Sequence, residues 1–124
     1  MAVNRQTFAI NNTAAGKTQS GPAFEGGVLQ LRWAPEQGDT GGDLSILLCP
    51  NAGDTGGAFE IFSGANCLGA AFCKGLAMPV VHKNNSDTGV GSDGVYASAG
   101  EHLLVKVASD TGVEGKLYIT TYTG

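Results

Sequence analysis

The chain is short of charge, of helical periodicity and of cysteine, and each shortage excludes something. Only 15% of its 124 residues are charged, and 7 Lys and Arg stand against 11 Asp and Glu, for a net charge of −4. No basic cluster interrupts that balance, so the cationic footprint required for nucleic acid or an anionic membrane is missing. Three cysteines, Cys49, Cys67 and Cys73, cannot all pair within one chain, and their spacing is not that of a zinc site. They read as small apolar fillers made in a reducing compartment, with a Cys67–Cys73 bridge the less favoured reading. No run is long enough to cross a bilayer. The start, Met1–Thr7, passes directly into polar Asn and Thr without the apolar stretch of a secretory signal.

What is abundant is glycine, 20 residues of it, with apolar residues in short bursts between Gly, Asp, Ser, Thr and Asn. At this length one domain, residues 1–124, is expected, able to bury about two-thirds of its unfolded area. Asp-Thr-Gly occurs four times, at Asp39–Gly41, Asp54–Gly56, Asp87–Gly89 and Asp110–Gly112. In aspartic proteases that triplet follows large aliphatic residues, whereas here Gly or Ser precedes each Asp. Four scattered copies are not one carboxylate pair sharing a proton. The Asp side chain can bond the backbone two residues on, and the Gly supplies a left-handed conformation cheaply, so the triplets read as turns.

Between the turns the pattern is that of strands. Leu29, Leu31 and Trp33 alternate with Gln30 and Arg32, and Phe59 and Ile61 flank Glu60. Leu103–Val107 and Leu117–Tyr122 are two further strands, joined through Ser109–Gly112 by a connection short enough for a hairpin. Others fit Thr7–Ile10, Leu44–Cys49, Ala71–Cys73, Pro79–His82 and Val95–Ala97, eight or nine in all. The expected fold is an all-β antiparallel sandwich with jelly-roll topology. Residues 11–27, small and polar, read as an extended N-terminal arm or a long loop, and Lys83–Gly94 as a protruding loop. Trp33, Phe59 and Phe62 read as core, and Tyr118 and Tyr122 as sharing the face opposite Leu117 and Ile119.

The motifs that imitate catalysis fail. Ala15-Gly16-Lys17-Thr18 ends like a phosphate-binding loop, but Asn11 stands where the first Gly belongs and Gln19–Pro22 cannot open a helix. Asp87–Asp93 begins like a calcium loop that has Ser98 in place of the terminal Glu. His82 and His102 have no carboxylate or nucleophile beside them in sequence, and Glu25, Glu36 and Glu60 form no glycosidase pair. No cofactor, no metal and no enzymatic activity are expected.

In its size, its polar stretch through Gly27, the Gly-Asp-Thr-Gly-Gly turns at Gly38–Gly42 and Gly53–Gly57, and the ending Gly115-Lys116-Leu117-Tyr118-Ile119-Thr120, the chain resembles the small β-sandwich structural proteins of tailed bacteriophages, particularly capsid decoration or cement proteins. That resemblance implies a virion protein, synthesised in the host cytoplasm, that clamps the major capsid protein or other virion subunits at the capsid surface, often as a trimer or dimer. Under it, Arg5, Lys17, Phe24, Tyr118 and Tyr122 are the expected partner contacts, together with the 11–27 stretch. The alternatives are another virion component, in a head fibre, neck or tail, and a carbohydrate-binding or adhesion module using Trp33, Tyr96 or Tyr118 as stacking platforms.

Overall fold

The structure, a computed structural model, describes residues 2–12, 15–36, 42–76, 78–81, 90–94, 96–109 and 112–123. Among them nine strands and no helix occur: β1 (Ala2–Asn12), β2 (Ala15–Pro35), β3 (Asp43–Cys49), β4 (Phe59–Gly64), β5 (Phe72–Gly75), β6 (Met78–Val81), β7 (Val90–Gly94), β8 (Tyr96–Ser109) and β9 (Val113–Thr123). Every pairing is antiparallel, as the all-β reading requires. Seven strands share one hydrogen-bonded sheet in the order β1-β9-β2-β8-β3-β4, with β5 also on β2, while β6 and β7 pair separately. The seven-stranded sheet is continuous through β2, which is long enough to serve two arms of it. Residues 15–28 pair with β8, and residues 27–35 pair with β9.

The largest correction concerns residues 11–27. Their described residues are not an arm or a loop: Asn11 and Asn12 end β1, and residues 15–27 are the first half of β2, laddered to β8, while residues 13 and 14 lie outside the described residues. Small polar residues suffice there because the ladder satisfies their backbone groups and the neighbouring strands supply the apolar surface. Gln19 Nε2 donates to the Ala9 carbonyl at 2.6 Å, so the first half of β2 runs back along β1. The second half is antiparallel to β9, which is antiparallel to β1, so it runs parallel to β1. Between the two directions lie register shifts at Ser20/Ala23, Phe24/Glu25 and Val28/Gln30. Pro22 falls inside the first shift, where no ladder N–H is demanded of it. Gly26 has φ +128°, and a Cβ there would fall on the Tyr122 carbonyl oxygen, so only glycine lets β2 pass this corner against β9.

The same rearrangement removes the expected hairpin. β8 and β9 are consecutive in the chain but not paired, since β2 lies between them. Both arms turn their apolar faces to one core: Phe8, Leu31, Trp33, Leu117 and Ile119 from one, Leu44, Ile46, Leu103 and Val105 from the other. Trp33 is fully buried, and its Nε1 donates to the Leu68 carbonyl at 2.9 Å, tying the β4–β5 connection to the core. Phe62 packs on that core, but Phe59, expected inside, is 59% exposed. A register shift between Ile46 and Leu47 breaks the β3–β4 alternation on which that expectation rested.

The triplet at Asp54–Gly56 is a turn with the expected Asp side-chain bond, but the left-handed conformation falls on the flanking glycines and not on Gly56 itself, whereas Gly112 of the fourth triplet has φ 89°. Gly56 N–H donates to Asp54 Oδ1 at 2.9 Å, and Gly53 and Gly57 on either side have φ of 72° and 73°. Asp39–Gly41, Asp87–Gly89, Asp110 and Thr111 lie outside the described residues, as do His82 of the expected strand Pro79–His82 and residues 83–89 of the expected protruding loop; residues 90–94 of that loop are strand β7.

Candidate functional site

Alternation along three adjacent strands selects what the outer face of the first arm presents. In β9 the residues Val113, Gly115, Leu117, Ile119 and Thr121 are buried, which turns Lys116, Tyr118, Thr120 and Tyr122 outward. In β1, Phe8 and Ile10 face the core and Arg5 and Thr7 the other side. In β2, Leu31 and Trp33 are buried and Gln30 and Arg32 exposed. Register then fixes the neighbours. Tyr118 stands opposite Arg32 on one side and Thr7 on the other, and Arg5 is opposite Thr120, one diagonal step away.

The result is a three-member stack. The Arg5 guanidinium carbon lies 5.1 Å from the Tyr118 ring centroid and that of Arg32 5.0 Å, one from each flanking strand. At an exposed site each such contact is worth about 0.5–1 kcal/mol, which biases the rotamers of the two long side chains toward the ring without freezing them. Stacking on a ring leaves a guanidinium's in-plane N–H donors available, so the arrangement orders two cations without consuming them. Lys116 adds a third positive charge, opposite Ala9 and Ala34, and Glu114 and Glu36, joined by a backbone hydrogen bond, mark the end of the face near Asn11 and Pro35. Tyr122 is on the same face, its ring against Gly27, where any Cβ would collide with it.

Sequence reasoning therefore placed Arg5, Tyr118 and Tyr122 on what is one surface, and missed Arg32. Its outward phase between Leu31 and Trp33 is visible in the sequence, but its position beside Tyr118 depends on register. Lys17 and Phe24 lie elsewhere. Lys17 Nζ reaches the Asn11 carbonyl at 3.4 Å and lines a depression of about 310 Å³ with Thr18, Asp43, Ser45 and Lys106. Phe24 is half-buried against the core, and its carbonyl accepts a 2.7 Å hydrogen bond from Ser98 Oγ.

A second surface feature lies between the outer edges of β4 and β5. Phe62, Lys74, Leu76 and Tyr96 line a cleft of about 420 Å³. Lys74 Nζ is 5.5 Å from the Phe62 centroid, and Phe59 lies 6.0 Å from Tyr96. Trp33, by contrast, is closed to any ligand.

Chemistry finds little to work with elsewhere. Ala15–Thr18, the imitation phosphate loop, opens a strand and not a helix. His102 Nδ1 is 2.8 Å from the Gly21 carbonyl, which makes it a donor within the fold; His82 lies outside the described residues. Among the described residues no three His, Cys, Asp or Glu side chains converge as a metal site, and no helix is long and apolar enough to cross a membrane.

All three cysteines are free thiols, and only Cys49 is buried as a filler should be; Cys67 is half-buried and Cys73 exposed. Burial pushes the Cys49 thiol above its ordinary pKa, with the Asp54 and Glu101 carboxylates adding to it, and burial raises Cys67 as well. A raised pKa keeps a thiol protonated and unreactive near neutral pH. In native protein, Ellman's reagent is expected to label Cys73 first and Cys49 only on unfolding. Equal rates at all three sites would contradict the burial of Cys49.

Compared with protein-family models and with curated proteins, the chain matches none.

Proposed function

We propose that the protein is a non-enzymatic virion structural protein, a capsid decoration or cement protein that bridges neighbouring capsid subunits on an assembled phage head. The observation that carries this reading is the Arg5–Tyr118–Arg32 cluster on the outer face of β1, β9 and β2, two exposed arginines against a half-buried tyrosine. Tyr and Arg are the residue types that dominate contact energy at protein interfaces, and here their backbone is fixed by a sheet with a packed core behind it. A preorganised face loses little conformational entropy on docking. That replaces the ordering of an arm as the source of affinity, since the arm residues belong to β2.

A protein that binds the assembled lattice better than free subunits adds its binding energy to shell stability. Repetition at symmetry-related positions, and self-association as a dimer or trimer, multiply the effect through effective concentration. Purified protein is expected to co-sediment saturably with intact heads of the phage that encodes it and to raise their melting temperature. Protein that stays in the supernatant, or that binds unassembled subunits equally well, would refute this role.

The exposed Phe59 beside Tyr96, above the β4–β5 cleft, favours a second reading as a carbohydrate-binding or adhesion module. Its stacking platforms would be Phe59 and Tyr96, with Trp33 removed from the set. Saturable pull-down by a polysaccharide, lost in Phe59→Ala, would support it against the capsid role.

A further inference from the structure

We infer that the outer face of β1, β9 and β2 recognises carboxylate groups on an acidic protein surface, with Arg5 and Arg32 as the recognising residues and Tyr118 as the residue that positions both. The inference rests on the proposed virion role and names the chemistry of the partner. In a chain of net charge −4, three of the seven cations, Arg5, Arg32 and Lys116, stand on this one face. Among the described residues neither guanidinium has a carboxylate partner; each is placed instead against the Tyr118 ring. An arginine stacked in this way keeps the planar fork that matches a carboxylate in a two-point hydrogen bond. Thr7, Thr120 and Gln30, outward on the same strands, supply neutral hydrogen-bonding groups around the pair.

Charge also decides between partners. A polyanion such as nucleic acid meets the field of the whole molecule, which is negative, and its binding depends on releasing many counterions with many cations. A carboxylate-bearing protein surface that contacts only this face feels chiefly the charges within a Debye length, about 8–10 Å at ordinary ionic strength. Within that range Arg5, Arg32 and Lys116 outnumber Glu114 and Glu36, which lie at the Lys116 end of the face and leave the Arg5–Arg32 end the more positive.

The test is a titration of the full ¹⁵N-labelled chain with poly-L-glutamate, alongside poly-L-glutamine and a single-stranded DNA oligonucleotide, at low and high salt. Poly-glutamate is expected to shift the amides of β1, β9 and the second half of β2 saturably. Affinity should fall on the order of tenfold in R5Q/R32Q, as for loss of a charge-assisted contact, and should be unchanged in K106Q. R32K, which keeps the charge and loses the fork, should fall between wild type and R32Q, and it serves as the deciding variant if the double substitution disturbs the fold. Larger shifts of this face with DNA, equal shifts with poly-glutamine, or affinity for poly-glutamate retained in R5Q/R32Q would each overturn the inference. Co-sedimentation with phage heads separates it from the proposed role. Heads bound by wild type and equally by R5Q/R32Q leave the role standing and remove carboxylate recognition. Poly-glutamate bound at this face, with heads unbound, removes the role and keeps the recognition.

Discussion

Deleting residues 1–26 is expected to leave no folded protein, with flat amide dispersion by NMR and no cooperative thermal transition. A polar leader of that composition looks dispensable, and if it were an arm the remainder would stay folded and lose only its partner. The structure makes it two strands. β1 covers the length of β9 from Ala2↔Thr123 to Asn12↔Val113 and carries the core residues Phe8 and Ile10. The first half of β2 is the partner of β8 from Ser109 down to Ser98. Removing both exposes the free edges of two strands and opens the core from one side. Because domain stability is only about 5–15 kcal/mol, a loss on that scale cannot be absorbed. A truncated protein with native dispersion would show that residues 2–26 are an accessory and not part of the sheet.

Trp33→Ala is the single substitution expected to cost most, about 3–5 kcal/mol in chemical denaturation, the range for removing a large buried aromatic. The indole fills the core between the two arms, and its loss also leaves the Leu68 carbonyl without its donor. Trp33→Phe keeps an aromatic ring but omits the N–H and part of the volume, so its smaller loss combines the orphaned carbonyl, about 1–3 kcal/mol, with the residual cavity. Destabilisation by Trp33→Ala of less than about 1 kcal/mol would place Trp33 outside the core.

The strands that bury one face were legible in the sequence. Leu31 and Trp33 inward with Gln30 and Arg32 outward, and Leu117 and Ile119 inward with Tyr118 and Tyr122 outward, followed from period-two patterning alone; the start of β9 at Val113–Lys116 did not. Leu29, assigned to the same inward set, is only half-buried because it is itself the extra residue of the register shift between Val28 and Gln30 and has no partner in β9. The Asp54 turn was readable because its chemistry is local, an Asp side chain bonded to an amide two residues on. The first half of β2 was not readable, because Gly21, Pro22, Gly26 and Gly27 are loop residues by propensity. They are retained in a strand for reasons that lie in other strands, among them the Tyr122 carbonyl and ring. Nor could the sequence separate β8 from β9, since a short connection permits a hairpin and only the position of β2 forbids it.

The candidate face divides along the same line. That Arg5, Tyr118 and Arg32 point away from the core is a matter of phase within each strand, which a single sequence contains. That they meet is a matter of register among three strands taken from the beginning, the middle and the end of the chain, and nothing local encodes it.

The central claim is that this face is the surface that docks, and phenylglyoxal footprinting of arginine tests it most directly. Protein bound to intact phage heads and protein alone would be labelled in parallel, digested and compared by mass spectrometry at Arg5 and Arg32. Strong protection of both arginines in the bound sample is the predicted result. Equal labelling of Arg5 and Arg32 in bound and free protein would contradict the account.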